Sequence, residues 1–183
     1  MNIERRTIRQ AESAGGRLSG YAAVFNSASR PLPSARGDFV ETIAPGAFNR
    51  SLRESPVWAY YGHDDSWPLA RTPDSLKLRE DDIGLAFEME LPDTTYGRDV
   101  RELLSAGVLD GSMSFGFRTK ADTWERHHGV LHRTLNDVDL VEISIVQVPA
   151  YAAPHAALRQ APDLATSRRR LAIRLRAAGE SAY

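Results

Sequence analysis

Residues 110–117, Asp-Gly-Ser-Met-Ser-Phe-Gly-Phe, carry the alternation from which the fold can be read. Side chains along a strand point to opposite faces in turn, so Met113, Phe115 and Phe117 fall on one face and Ser112, Ser114, Gly116 and Arg118 on the other. The apolar face calls for a core. The opposite face offers two hydroxyls beside a glycine that lets a ligand backbone come close. Gly111, Ser114 and Gly116 do not match the Gly-x-Ser-x-Gly spacing of a nucleophile elbow on a strand-to-helix turn. Ser112 and Ser114 share a face, and spacing alone does not choose between them.

The same period recurs through the first 150 residues. In GLAFEMEL (84–91), Leu85, Phe87, Met89 and Leu91 oppose Glu88 and Glu90, and SLKLRE (75–80) precedes it across a short Asp-rich turn, which predicts a hairpin. TWERHHGVLHRT (123–134) predicts a second hairpin, with Gly129 free to take a positive φ. Two helices interrupt the strands: PGAFNRSL (45–52), and a segment capped by Asp93 in which Tyr96, Val100, Leu103 and Leu104 form one stripe ending at Gly107. The expected class is therefore mainly β with helices (α+β), its sheet closed or nearly closed.

Composition narrows the chemistry. The chain has 183 residues, a formal charge of −1 and no cysteine, so it has no disulfides, no thiol nucleophile and no Cys-ligated zinc. No stretch approaches the roughly 18 apolar residues of a membrane span, and Met1 is followed by charged residues, so the expectation is a soluble chain without an export signal. Residues 1–158 carry a net −5 and residues 159–183 a net +4. The texture changes at Pro149. Beyond it, LATSRRRLAIRLRAA (164–178) places leucines at helical spacing opposite an Arg-rich face, predicting a basic helical tail over 156–183 behind a domain at 1–155. Such a helix docks on its own domain or on an acidic partner more readily than on nucleic acid or a membrane.

Two further stretches bear on function. In VWAYYGHDDSWPLA (57–70) an apolar strand ends at Gly62-His63-Asp64-Asp65, which puts an imidazole at a strand terminus, either as a general base or as a surface histidine in an acidic turn. Neighbouring strand residues diverge, so His63, Asp64 and Asp65 do not readily converge on one metal. In LNDVDLVEISIVQVPA (135–150), strict alternation groups Val138, Leu140, Glu142, Ser144 and Val146 against Val141, Ile143 and Ile145. Both faces are largely apolar, so Glu142 is expected to be buried and to need a partner. That partner is a histidine, which would make the carboxylate catalytically useful, or an arginine such as Arg118, or backbone amides. His127, His128 and His132 read as an exposed polar hairpin rather than a metal site. A hydroxyl, a histidine and a buried carboxylate supply the attacking oxygen, base and orienter of acyl transfer.

In their order and texture, FVETIAPGAFNRSL (39–52), YYGHDD (60–65), GLAFEMEL (84–91), GVLDGSMSFGF (107–117) and DVDLVEISIVQVPAY (137–151) resemble the prohead proteases of tailed phages, capsid-maturation serine peptidases related to herpesvirus assemblin. The resemblance runs from about Gly20 to Tyr151. It implies a largely antiparallel β-barrel surrounded by a few helices, and a serine endopeptidase acting inside the assembling prohead in the bacterial cytoplasm. Its partners would be the major capsid protein with its scaffolding segment, and the protease itself by autocleavage, without cofactor or metal. By position it implies His63 as base, Ser114 as nucleophile and Glu142, or in second place Asp139, as the acidic member, where herpesvirus relatives use a second histidine. The oxyanion would be met by backbone N–H groups, with Arg118 sharing the Ser114 face. Other classes consistent with the sequence are a catalytically silent capsid-assembly scaffold, a non-enzymatic ligand-binding β-barrel and a metal-dependent hydrolase built on the histidine cluster.

Overall fold

The computed structural model describes residues 3–9, 11–14, 16–35 and 37–147. The basic segment 156–183 and its predicted boundary at 155 lie outside the described residues. Among the described residues, ten strands and two helices run in the order β1 (Glu4–Arg9), β2 (Ala11–Ala14), β3 (Arg17–Val24), β4 (Phe39–Ile43), α1 (Asn49–Glu54), β5 (Trp58–Tyr61), β6 (Asp64–Arg71), β7 (Leu76–Glu80), β8 (Gly84–Glu90), α2 (Thr95–Ser105), β9 (Ser112–His127) and β10 (Val130–Val146). The fold is mainly β with few helices, as the alternation requires.

The two longest strands organise it. β9 and β10 form a hairpin across His128 and Gly129, both at positive φ (49° and 85°), the backbone that a two-residue turn between twisted strands demands. β1 lies antiparallel on the free side of β9, and β10 continues to β5 and β6. A second sheet has the order β2-β3-β8-β7. Met113, Phe115 and Phe117 meet Leu18, Phe87 and Met89 in one core between the sheets. Phe115 stacks on Phe117 with centroids 5.2 Å apart and meets Phe48 edge-on at 5.6 Å.

The expected closed or nearly closed barrel is corrected to a curled, half-closed one. Two of the pairings along β10 are parallel, with β4 beside Leu131–Leu135 and β5 beside Glu142–Ile145. Parallel neighbours need a crossover rather than a tight turn. The segment joining β4 to β5 supplies it and fills the gap between them: Val138 N–H donates to Ala47 O (3.0 Å), and Leu140 N–H donates to Ser51 Oγ of α1 (2.8 Å). The far edge of β10 is thus shared by β4, α1 and β5, and among the described residues β1 and β6 end the sheet without pairing to each other. α1 starts at Asn49, after a turn at 45–48 whose Gly46 and Phe48 N–H groups donate to Glu80, so the expected helix at Pro45 begins four residues late. Thr94 rather than Asp93 caps α2, accepting from Gly97 N–H.

β1 is held by buried charge. Glu41, fully buried on β4, accepts from Arg6 Nε (2.6 Å) and Arg133 Nη1 (3.1 Å), and Glu4 accepts from Thr119 Oγ1 (2.6 Å) and from Arg133. Buried ions persist only where each is paired in this way. Truncating the core anchor of β9 tests the packing: Phe115→Ala should lower stability by about 3–5 kcal/mol. Urea denaturation would register this as an earlier midpoint at unchanged slope.

Candidate active site

On the sheet face opposite the core, the register places Ser114 against Ser144, Gly116 against Glu142, and Ser112 against Val146. β5 adds Trp58 in register with Glu142 and Tyr60 with Ser144. That Glu142 faces this way depends on a bulge. The β9–β10 register shifts between Leu140 and Glu142, so Leu140 pairs with Phe117 and enters the core with Ile143 and Ile145, while Glu142 and Ser144 take the opposite face. The strict alternation that groups Leu140 with Glu142 is therefore corrected: one extra residue lets two positions of like parity diverge.

His63 reaches the same carboxylate from a different element. Tyr61 and Asp64 pair across a two-residue turn, with Gly62 and His63 both at φ +64°. Positive φ at both central positions is the type I′ pattern, which suits the strand twist and which histidine tolerates better than most side chains. Gly62 N–H donates to Ile145 O (2.9 Å), fixing the turn on β10. His63 Nδ1 then lies 2.7 Å from Glu142 Oε1. A carboxylate only accepts, so Nδ1 carries the proton and Nε2 is left as the basic nitrogen.

Glu142 is nearly sealed from solvent, with 3% exposure. Its second oxygen accepts from Ser144 Oγ at 2.7 Å, and Arg5 Nε of β1 stands 3.5 Å from Oε1. Gly116 leaves the room: a Cβ there would lie 2.9 Å from Glu142 Cδ and closer still to Oε1. The carboxylate is felt nearby, because burial, together with the charges of Asp65 and Glu142, raises the Tyr60 phenol above its ordinary range.

Of the expected residues, His63 and Glu142 are brought into direct contact. Ser114 is not hydrogen-bonded to either of them. Its Oγ and that of Ser112 are fully buried and have no hydrogen-bond partner among the described residues. Buried hydroxyls are nearly always satisfied, so two orphans on one strand face are unusual. Arg118 is not the partner of Glu142; it stands opposite Asp139 and is partly exposed. Asp139, the second-choice acid, serves α1 instead. Its hydrogen bond from Arg50 Nη2 (2.6 Å), with Lys120 Nζ at 3.0 Å, holds its carboxyl below the usual range. Among the histidines of the β9–β10 hairpin, His127 bonds Glu125 and packs edge-on against His132. Ser144 and Arg5 were not legible as site residues. Only the shared face with Glu142 hinted at Ser144, and nothing in the sequence pairs Arg5 with position 142.

The fit between Gly116 and Glu142 yields a coupling test. Gly116→Ala should cost about 1–3 kcal/mol by crowding the carboxylate. In a Glu142→Ala background the same substitution should cost markedly less, a non-additivity that a double-mutant cycle of thermal or urea unfolding measures directly.

No curated protein and no solved structure matches this chain. A family model described as caudovirus prohead serine protease matches residues 2–166. A match over that span, with a histidine–carboxylate pair set beside a serine-bearing strand, means that the chain belongs to the caudovirus prohead serine protease family.

Proposed function

We propose that this chain is the serine endopeptidase that matures a phage prohead, using Ser114 as nucleophile, His63 as general base and Glu142 as orienter. Family membership carries serine peptidase activity in capsid maturation and contact with capsid or scaffold proteins inside the assembling particle. The finer assignment rests on one observation: a buried carboxylate holds the imidazole by Nδ1 on the sheet face that also bears unpaired serine hydroxyls.

In this reading Nε2 of His63 takes the Ser114 proton as Oγ attacks a peptide carbonyl, and Glu142 stabilises the imidazolium. The proton then passes to the leaving amine, and water hydrolyses the acyl-enzyme by the same relay. Register favours Ser114 over Ser112, because Ser114 opposes Ser144, which bonds Glu142, whereas Ser112 opposes Val146 one step farther along β10. Catalytic hydrogen bonds are commonly long before substrate arrives, so the missing Ser114–His63 bond does not count against the pair. Glu142 takes the third role that a second histidine fills in herpesvirus assemblin, and an assemblin-like ancestry belongs to this proposal. So does autocleavage. Among the described residues no helix is long and apolar enough to cross a membrane.

The basic segment 156–183 forms part of the proposal as a targeting tail for the acidic or scaffold surface of the growing shell. A chain ending at Arg159 should then cleave capsid protein when mixed with it but fail to enter proheads. Normal incorporation of that chain, measured by particle composition, would exclude the targeting role.

The assignment is tested by producing the chain together with its cognate major capsid protein as wild type, Ser112→Ala and Ser114→Ala, and recording intact masses of all products. Cleavage should be lost in Ser114→Ala, by about 10³-fold or more, and retained in Ser112→Ala. Unchanged products in Ser114→Ala would sink the nucleophile assignment, and loss in Ser112→Ala alone would transfer it. Intact capsid protein even with wild type, in particles that still assemble, would favour a silent scaffold.

A further inference from the structure

We propose that Ser144 is a positioning residue for the catalytic centre: its hydroxyl fixes the Glu142 carboxylate so that the opposite oxygen meets His63. The inference rests on the proteolytic reading for the reaction it serves, but its geometry stands independently. Ser144 Oγ donates to Oε2 at 2.7 Å while His63 Nδ1 lies 2.7 Å from Oε1, so the carboxylate is held at both oxygens. A glutamate side chain has three rotatable torsions and cannot aim itself. On the β9 side it meets Gly116, which has no side chain to brace it. Ser144 is therefore the neutral brace, and it is wholly buried.

The hydroxyl also has a competing neighbour. Ser144 stands in register with Ser114, yet its proton goes to Glu142, and among the described residues Ser114 Oγ is left without a partner. The orienting hydroxyl thus leaves the proposed nucleophile uncommitted. Among the described residues, the charged or titratable groups acting on Glu142 are His63 from the β5–β6 turn, Arg5 from β1 and Tyr60 from β5. Arg5 is half-exposed at 3.5 Å, so its contribution is screened by salt, whereas that of the buried Ser144 bond is not.

The test uses the full chain carrying Ser114→Ala, which is not expected to process itself, with ¹⁵N-labelled histidine. Adding Ser144→Ala should speed exchange of the His63 Nδ1–H with water by about tenfold or more and move its resonance, and Ser144→Thr, which keeps the hydroxyl, should restrain both changes. In the chain with Ser114 intact, Ser144→Ala should lower kcat for capsid-protein cleavage about 10- to 100-fold at little change in KM. An unmoved His63 signal, equal losses in the alanine and threonine variants, a change confined to KM, or unfolding of Ser144→Ala would each overturn the inference. Failure of the proteolytic reading looks different: Ser114→Ala would process capsid protein normally while the His63 signal still answered to Ser144→Ala.

Discussion

A carboxylate buried within a β-sheet is the constraint on which the surrounding structure turns. An ionised group removed from water is tolerable only if hydrogen bonds and opposite charge replace its hydration. Glu142 has both: His63 at one oxygen, Ser144 at the other, and Arg5 nearby. Each partner arrives from a different element, namely the β5–β6 turn, β10 itself and β1. The opposing strand yields space by placing Gly116 where any larger residue would collide. The same demand accounts for a bulge in β10, a left-handed histidine and a glycine in the middle of a core-spanning strand.

The architecture delivers these parts through the length of β10. Its first third pairs with β4, its last third with β5, and the segment carrying α1 seats between them, where Ala47 O and Ser51 Oγ accept from the Val138 and Leu140 amides that would otherwise be orphaned. Because β5 runs parallel to β10, its C-terminal end arrives beside Ile145, and the tight turn that follows folds His63 back toward Glu142. An antiparallel β5 would instead put its N-terminal end there. The half-closed barrel is in this sense a consequence of the site geometry: the β10 edge that a closed barrel would pair along its whole length is divided to bring one turn to one carboxylate.

Much of this was legible in the sequence, for reasons that differ by residue. Period-two alternation fixed the faces of β8 and β9, because Leu85, Phe87 and Met89, and Met113, Phe115 and Phe117, are large and uninterrupted. The burial of Glu142 followed from its apolar neighbours, and a histidine partner was one of the options that burial requires. Alternation failed at Leu140, since a bulge leaves no compositional mark and Val141 looks like any other strand valine. The parallel placement of β4 and β5 was hidden for a related reason: pattern reports which face is apolar but not which neighbour lies alongside. Arg5 was hidden by distance along the chain, being placed at the site only by the pairing of β1 with β9.

The two serines of the opening stretch share one strand face but not the same neighbour on β10. Ser112 and Ser114 are equally buried and equally unpaired, so neither exposure nor hydrogen bonding distinguishes them. What differs is the residue across the ladder. Val146 offers Ser112 only apolar surface, whereas Ser144 links the neighbourhood of Ser114 to Glu142 and through it to His63. Leaving a buried hydroxyl unsatisfied costs free energy, and a hydroxyl already donating to a neighbour is a poorer partner for a base. In the proposed mechanism, the placement that is costly for folding at position 114 leaves that hydroxyl uncommitted for attack, the Ser144 proton being spent on the carboxylate.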